Sequence, residues 1–411
     1  MKTVGIVVEY NPLHNGHELH FHKSKKITRA DAVVAVMSGP FLQRGEPAIA
    51  SKRARTEMAL AMGVDLVLEL PVTYAVQPAE WFAYGAVATL HATGVVDCLS
   101  FGSENGTLEQ LLPLSRILAR EPDRLRAELD QRLAEGLSFP SAYGAAAAAA
   151  FGVSEEDAAG LRELLTKPNN SLGLHYLIAL HRLGSSIEPF TISRESAQYH
   201  DPEPGTGSIA SATAVRRIIA NQGIEAAAPY IPEYTLRILE REIRSGRAPM
   251  NWDRFRQPLF QTLLTSPPAQ LAQCLEVTEG LEYRIRRMLP KLDNSSVDAL
   301  LDSLKTKRYT RTKLQRMLVH IMLNHQKAGM NPGELVRGPG YIRVLGFNET
   351  GKKLLRTMRK TASLPVVIKP AALDHPQLTR DLQAAAVYAN AYPNADARDL
   401  YHDYRLPPLT L

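Results

Sequence analysis

The feature that most constrains the fold is the N-terminal stretch of residues 3–17, TVGIVVEYNPLHNGH. Residues 4–8 form an apolar, β-branched run, which predicts a fully buried strand of the kind found at the centre of a parallel sheet. Asn11 and Pro12 end this run, because asparagine favours turns and proline cannot donate to a strand ladder. The segment 18–23 that follows has no helix-breaking residue and predicts a helix.

Two histidines, His14 and His17, lie three residues apart where this helix begins, which places them on one face. Gly16 allows a ligand to approach the backbone closely, and a helix N-terminus, equivalent to roughly half a positive charge, attracts phosphate. A strand, a turn and His-x-Gly-His resemble the HxGH nucleotidyltransferase superfamily. Its members attack the α-phosphate of a nucleoside triphosphate and release pyrophosphate. The resemblance implies that His14 and His17 are catalytic; two surface histidines are the alternative.

Strands alternate with helices over the first half of the chain. The predicted strands are residues 4–8, 32–37, 65–70, 96–101 and 188–194. This alternation predicts a Rossmann-like α/β fold with a doubly wound parallel sheet. Ligands bind beyond the carboxyl ends of such strands, and the loops 10–17, 38–47 and 102–106 all lie at that edge. Residues 167–173 predict a further loop, ahead of a helix over 174–183.

A second motif, SATAVR, occupies residues 211–216. It resembles the superfamily's ISSTxIR motif, whose hydroxyls and arginine open a helix and bind the β- and γ-phosphates. The resemblance implies this role for Ser211, Thr213 and Arg216, although Ala210 stands where isoleucine is usual. Either hydroxyl could also cap a helix in any fold, and Arg216 lies one turn further in, where its fork of donors can meet phosphate.

Charge divides the chain into two regions. Of its 411 residues, 1–220 carry 20 Lys and Arg against 24 Asp and Glu, whereas 221–411 carry 28 against 18, a net +10. A basic region suits a polyanion such as RNA, with a solvated basic surface as the alternative. We therefore predict a nucleotidyltransferase-like ATP-binding domain over 1–220, with a helical insertion at about 107–165. Residues 221–411 are predicted to form a mostly α-helical, basic RNA-binding region that contains a small α/β unit near 341–370.

The densest basic stretch is residues 305–316, KTKRYTRTKLQR, which has six basic residues and no acidic one. It precedes an apolar segment and therefore predicts the basic start of an amphipathic helix. Contact with a phosphate backbone is the functional interpretation, and a solvated helix face is the alternative. The predicted RNA-binding residues are Lys305, Lys307, Arg308, Arg311, Lys313 and Arg316.

Cysteine content and hydropathy indicate the compartment. The only cysteines, Cys98 and Cys274, lack metal-ligand spacing, which argues against a zinc site and against a disulfide framework. No apolar run approaches the roughly 18 residues of a membrane span, and the N-terminus has no signal-peptide pattern. We therefore expect a cytoplasmic protein with no membrane partner and no evident protein ligand for a metal.

Nearly the whole chain resembles the tRNA(Met) cytidine acetate ligase family. The stretches that carry the resemblance are residues 7–17, 38–48 (SGPFLQRGEPA), 101–104 (FGSE), 167–173 (KPNNSLG) and 307–310 (KRYT). This family activates acetate with ATP as acetyl-adenylate and then acetylates N4 of the wobble cytidine of elongator tRNA(Met). The resemblance implies ATP, normally bound as its Mg²⁺ complex, together with acetate and the tRNA anticodon loop.

The resemblance also implies a set of nucleotide-binding residues. They are Val7, Val8, Glu9, Tyr10, Asn11, Pro12, Leu13, His14, Asn15, Gly16, His17, Glu18, Leu19, His20, Gly102, Asn169, Arg194 and Glu195. Three other functions stay open: an acetate ligase acting on a protein-bound thiol, a plain nucleotidyltransferase, and a non-catalytic RNA-binding protein. Intact His14, Gly16, His17 and Arg216 disfavour the last of these. The sequence leaves the oligomeric state and the acetate pocket open.

Overall fold

A computed structural model describes residues 1–104, 106–120, 123–135, 137, 141–142, 145–146, 148–149, 167–193 and 208–411. Eight strands in these ranges form one sheet. They are β1 (Thr3–Val8), β2 (Ala32–Ser38), β3 (Leu66–Leu70), β4 (Cys98–Ser103), β5 (Glu188–Ser193), β6 (Ile342–Phe347), β7 (Val366–Val367) and β8 (Leu409–Thr410). Their order across the sheet is β5-β4-β1-β2-β3-β6-β7, and β8 pairs with β6.

Helices cover the sheet and make up most of the second half of the chain. The helices are Asn15–Thr28, Lys52–Met62, Val72–Ala75, Ala79–Thr93, Leu111–Leu118, Asp123–Ala134, Pro168–Arg182, Ala212–Gln222, Glu233–Arg244, Arg256–Thr265, Pro268–Leu271, Leu281–Met288, Val297–Leu304, Arg311–Met322, Pro332–Leu335, Glu349–Thr361, Pro376–Asn390, Ala397–Leu400 and His402–Arg405. Short 3₁₀ helices are Glu225–Tyr230, Trp252–Phe255, Leu289–Lys291, Lys327–Gly329 and Pro370–Ala372. No helix in the described ranges is both long and apolar enough to span a lipid bilayer.

The five strands β1 to β5 are mutually parallel, and β1 to β4 are buried on both faces. Successive side chains of a strand point to opposite faces, and β2 shows this directly: Val34 and Val36 join one hydrophobic cluster, whereas Val33, Ala35 and Met37 join another. One cluster contains side chains of the helix Ala79–Thr93, and the other contains side chains of the helix Lys52–Met62. The predicted doubly wound α/β sheet is therefore confirmed.

The α/β unit near 341–370 is not confined to the basic region. β6 pairs antiparallel with β3, with Phe347 opposite Leu66 and Arg343 opposite Glu69, and β7 pairs with β6. The strands of this unit therefore extend the sheet of the first region, a pairing that the sequence did not predict. Sequence patterns give strand propensity but do not identify a pairing partner that is distant along the chain.

A buried group of charges closes the seam between β3 and β6. Glu69 accepts from Lys52 Nζ at 2.5 Å and lies 3.4 Å from Arg343 Nε. Asp403, from a C-terminal helix, lies 2.5 Å from the same Nζ and 3.3 Å from Arg343 Nη2. Two cations and two carboxylates balance one another, so removing any single member would leave an uncompensated buried charge.

The predicted helical insertion lies partly outside the described residues. Within 107–165 the structure describes the helices Leu111–Leu118 and Asp123–Ala134. Leu111, Leu114 and Leu118 are buried in the cluster that also contains residues of the helix Pro168–Arg182. These helices therefore extend the core on one face of the sheet.

Candidate active site

A cavity of about 290 Å³ opens at the carboxyl ends of β1, β4 and β5. Its other walls come from the helix Asn15–Thr28, the loop after β2, the helix Pro168–Arg182 and the segment 209–216. These elements are far apart in the sequence, and the parallel sheet brings them to one edge. This is the edge at which doubly wound sheets bind their ligands.

Fifteen of the predicted nucleotide-binding residues line this cavity. They are Val7, Val8, Glu9, Tyr10, Asn11, His14, Gly16, His17, Leu19, His20, Gly102, Asn169, Ser211, Thr213 and Arg216. Pro12, Leu13, Asn15 and Glu18 are not among the lining residues. Arg194 and Glu195 lie outside the described residues.

Three of the residues away from the cavity hold the first helix in place. Leu13 is fully buried in a hydrophobic cluster. Asn15 Nδ2 donates to the carbonyls of Ser208 and Pro229 at 2.8 and 3.1 Å. Glu18 accepts a hydrogen bond from Tyr234 Oη at 3.1 Å. These contacts fix the helix N-terminus against later parts of the chain.

His14 and His17 cap the first helix with their own rings. His14 Nδ1 accepts from the backbone N–H of Gly16 at 3.1 Å, and His17 Nδ1 accepts from that of His14 at 3.3 Å. Because each Nδ1 is an acceptor, the proton of each neutral ring lies on Nε2. The ring centroids are 3.8 Å apart. Two imidazole donors therefore lie side by side at a helix N-terminus.

Gly16 is required by this arrangement. A Cβ atom at this position would lie 2.9 Å from His14 Cε1, closer than side-chain packing allows. The turn before it is also unusual, because Tyr10 has a positive φ of 49°. A bulky residue in this left-handed region carries strain of about 1–3 kcal/mol, which the surrounding structure must offset. The Tyr10 ring is buried and packs edge-on against His17, with centroids 5.2 Å apart.

Arg216 joins three parts of the site. Its Nη1 donates to the carbonyl of Asn11 at 2.9 Å, and its Nη2 pairs with Glu46 Oε2 at 2.9 Å. Ser211 caps the same helix by accepting from the backbone N–H of Ala214 at 3.1 Å. The guanidinium thus lies at a helix N-terminus, against the turn after β1 and against the loop after β2.

Arg55, in the helix Lys52–Met62, joins the strand ends beside the cavity, although the sequence analysis did not single it out. It is fully buried, and its Nη1 donates to the carbonyls of Glu9 and Ser38 at 2.7 and 3.0 Å. Its Nε and Nη2 donate to the carbonyls of Ala50 and Gly39. Burial lowers the pKa of Arg55 to about 10. Arg55 therefore ties the ends of β1 and β2 together.

Glu9 receives the loop after β2. Its Oε1 accepts from the backbone N–H of Gln43 at 2.8 Å and from Ser38 Oγ at 3.4 Å. Burial raises the pKa of the Glu9 carboxyl, and the hydrogen bond from Gln43 partly offsets this. Glu9 is a predicted nucleotide-binding residue that lines the cavity, and it also positions the loop that forms the opposite wall.

The helix Pro168–Arg182 begins six residues earlier than its predicted start at 174, so the loop prediction for 167–173 is wrong. Glu104, at the end of β4, accepts from the backbone N–H groups of Asn169 and Asn170 at 3.0 and 2.7 Å. It also accepts from Asn169 Nδ2 at 2.7 Å. A carboxylate distant in sequence therefore caps this helix, and proline at its first position favours the same start.

Comparison with known proteins agrees with this geometry. A family model described as HIGH Nucleotidyl Transferase matches residues 1–403. The tRNA(Met) cytidine acetate ligase of Caldanaerobacter subterraneus subsp. tengcongensis is 42% identical over 399 residues, which is 96% of each chain. That of Bacillus velezensis is 43% identical over 392 residues, 95% of this chain and 92% of the relative.

The chain belongs to the tRNA(Met) cytidine acetate ligase family of HIGH nucleotidyl transferases. Two crystal structures of Thermotoga maritima TmcAL share its fold. The apo form aligns with a TM-score of 0.91 at 36% identity, and the form bound with alpha-thio ATP with 0.89 at 35%. Each comparison covers 100% of both chains.

The residues of this ligase-family chain that line the cavity, and that the sequence did not single out, include Lys23, Gln43 and Arg44. Lys23 follows His17 and His20 at intervals of three, a spacing that places all three on one helix face. Gln43 and Arg44 lie within the stretch 38–48 that carried the family resemblance. The helical spacing and the family-like stretch were therefore both visible in the sequence.

Three of the six cations in the predicted RNA-binding run of this family member form ion pairs. Arg316 Nε pairs with Glu276 at 2.7 Å, and Arg308 pairs with Glu279 at 2.5 Å. Arg311 pairs with Asp298 and Asp302, and Lys313 Nζ donates to Thr278 at 3.2 Å. Lys305 and Lys307 are exposed, and neither has an ion pair with any described residue. Only part of this run therefore presents charge that is not already balanced.

Proposed function

We propose that the protein is an ATP-dependent ligase that activates acetate as acetyl-adenylate and acetylates N4 of the wobble cytidine of elongator tRNA(Met). The observation that carries the proposal is the His14–His17 pair at a helix N-terminus, inside a cavity at the strand ends. The names of the curated relatives, and the alpha-thio ATP bound by the Thermotoga protein, support the same activity.

The first step forms the adenylate. An oxygen of acetate attacks the α-phosphorus of ATP, the bond from that phosphorus to the β-phosphate oxygen breaks, and pyrophosphate leaves. Negative charge grows on the transferring oxygens, and donors already fixed in place stabilise it without reorganising. His14 and His17 supply two such donors, and the helix N-terminus adds its partial positive charge. Neither histidine needs to form a covalent bond.

The second step transfers the acetyl group. The N4 amine of cytidine attacks the carbonyl carbon of the adenylate, the bond to the phosphate oxygen breaks, AMP leaves, and the amine loses a proton. The amine must be accessible, and an anticodon loop offers unpaired bases that can be splayed out. We propose that residues 1–220 carry the chemistry, whereas 221–411 contribute most of the RNA contact.

Mg²⁺ is proposed to enter with ATP, because triphosphates are normally bound as magnesium complexes. Within the described ranges, no group of three or more His, Cys, Asp or Glu side chains could hold a metal ion. The chain's own part is therefore to orient the phosphates through His14, His17, Ser211 and Arg216, which line the cavity.

The proposed activity predicts a specific dependence on substrates. Purified protein incubated with tRNA, ATP and labelled free acetate should form labelled N4-acetylcytidine and release AMP and pyrophosphate in equal amounts. Mass spectrometry of the tRNA nucleosides measures the product. Formation of the product from acetyl-CoA without ATP would contradict the adenylate route. Labelled acetate appearing on a protein thiol instead would indicate the alternative ligase.

A second prediction concerns the exposed lysines of the basic run. Replacing Lys305 and Lys307 with alanine should weaken tRNA binding and reduce the slope of log K against log salt by about 0.7 to 0.9 for each phosphate that the variant no longer binds. A matched control replaces Arg244 and Arg337, two exposed arginines that each pair with a glutamate three or four residues earlier in the chain. Equal salt slopes for the lysine variant, the control and the wild type would leave this run as a solvated face.

A further inference from the structure

A second basic segment without acidic residues lies beyond the run at 305–316. Residues 350–373 contain six basic residues and no acidic one. Five of the six lie on the helix Glu349–Thr361, and the structure shows all five exposed. They are Lys352, Lys353, Arg356, Arg359 and Lys360. We call these five side chains the basic helix face.

The basic helix face is less neutralised than the run at 305–316. In that run Arg308, Arg311 and Arg316 each pair with an acidic side chain from elsewhere in the chain. On the basic helix face, one pair is formed within the described residues, between Lys352 and Glu349 at 3.1 Å. A phosphate that approached the other four cations would displace no carboxylate, so binding would keep more of the Coulomb attraction.

The face is also rigidly attached to the catalytic sheet. Asn348 caps the helix by accepting from the backbone N–H of Gly351 at 2.9 Å, and its Nδ2 donates to Asp65 Oδ1 at 3.0 Å. At the other end, Thr361 Oγ1 donates to the carbonyl of Thr93 at 3.1 Å. A Cβ on Gly351 would lie 1.9 Å from the carbonyl oxygen of Asp65, so the helix lies directly on the chain that enters β3.

The opposite side of the helix packs against the hydrophobic core. Leu354 and Met358 are buried in the same cluster as Tyr74 and Leu90. No apolar face remains for insertion between lipids, which an interfacial membrane helix requires. The cations run from Lys352 to Lys360, a stripe about 12 Å long at the α-helical rise per residue. A stripe of this kind suits a series of phosphates along a nucleic-acid strand.

We infer that the basic helix face, Lys352 to Lys360, is a phosphate-binding surface that holds the backbone of the tRNA substrate. This inference rests on the proposed function, because that function supplies the RNA. The surface reads no sequence and performs no chemistry. It raises the occupancy of the complex while other residues place the target base at the cavity.

The test replaces Lys353, Arg356, Arg359 and Lys360 with alanine in the full chain. Alanine favours helix, and the four side chains lie outside the core, so the thermal midpoint should be unchanged. Affinity for tRNA should fall by roughly tenfold or more at low salt, with a smaller salt slope. The KM for tRNA should rise while kcat and acetate-dependent pyrophosphate exchange stay at the wild-type level.

The matched control keeps the charge and changes its chemistry: Lys353→Arg, Arg356→Lys, Arg359→Lys and Lys360→Arg together. Point-charge contact with phosphate predicts near wild-type affinity for this variant. Unchanged tRNA affinity and an unchanged salt slope in the alanine variant would overturn the inference. It would also be overturned if the four cations were needed for binding to vesicles rich in phosphatidylserine but not for binding to tRNA. Failure of the proposed function appears differently, as absence of N4-acetylcytidine from the wild-type protein at saturating tRNA.

Discussion

Replacing His17 with alanine is expected to reduce acetate-dependent pyrophosphate exchange by roughly a hundredfold or more. That loss corresponds to about 3 kcal/mol of transition-state stabilisation, the usual effect of removing one fixed donor from a site that excludes water. His17 shares a helix face with His14, and its Nδ1 accepts from the backbone, so its Nε2–H is held in one orientation. The rate of labelled pyrophosphate incorporation into ATP measures the effect.

The control for this variant lies five residues further along the same helix. His22 is exposed and is not among the residues that line the cavity, so His22→Ala removes an imidazole without touching the site. Loss of the His17 ring also removes one capping hydrogen bond, which costs about 0.5–2 kcal/mol of stability and should appear as a small fall in the thermal midpoint. Wild-type exchange in a folded His17→Ala protein would refute the assignment of His17 to the α-phosphate.

Local sequence patterns predicted the secondary-structure elements that are determined by residues close together in the sequence. The apolar run of β1 and the turn at Asn11 lie where the pattern indicated, and the helix Ala79–Thr93 ends where the sequence places a glycine. Apolar periodicity and a following glycine are sufficient there, because Gly94 takes a positive φ of 63° and ends the helix. The predicted ligand edge also follows from topology alone, since parallel strands bring their carboxyl ends together.

Features that depend on distant partners could not be read from local patterns. Glu104 starts the helix at Pro168, although 63 residues separate them. β6 pairs with β3, and across that seam Arg343 and Lys52 balance Glu69 and Asp403, which come from distant parts of the chain. Arginine is almost always a surface residue, so a pattern assigns Arg55 to solvent, whereas the folded chain offers it four carbonyl acceptors.

The second large effect is expected at Gly45, where the loop after β2 meets the helix Arg311–Met322. Gly45 has a φ of 74°, and a Cβ there would lie 2.2 Å from the backbone nitrogen of Arg316. That backbone cannot retreat easily, because Arg316 is tied to Glu276 and both side chains are only 11% exposed. We expect Gly45→Ala to lower the thermal midpoint and to reduce pyrophosphate exchange by roughly tenfold to a hundredfold.

The reduction in exchange follows from what the loop carries. Gly45 N donates to the carbonyl of Leu42 at 2.8 Å, which closes the turn that presents Gln43 and Arg44 to the cavity. Glu46, the next residue, pairs with Arg216. A shift of about 1 Å at Gly45 would therefore move the cavity wall and the partner of the proposed phosphate-binding arginine together.

Gly184→Ala separates the backbone strain that an added methyl group causes at a positive φ from the steric clash that it causes with neighbouring atoms. Gly184 also has a positive φ, of 56°, but a Cβ there would meet no atom within 4 Å. It should therefore show only the backbone cost, about 1 kcal/mol, with normal exchange. If Gly45→Ala behaved like Gly184→Ala, the loop would be free to move without affecting the site. A selective loss in Gly45→Ala would instead show that the helix Arg311–Met322, which contains the end of the basic run, helps to position the adenylation cavity, so that the two halves of the chain are not independent.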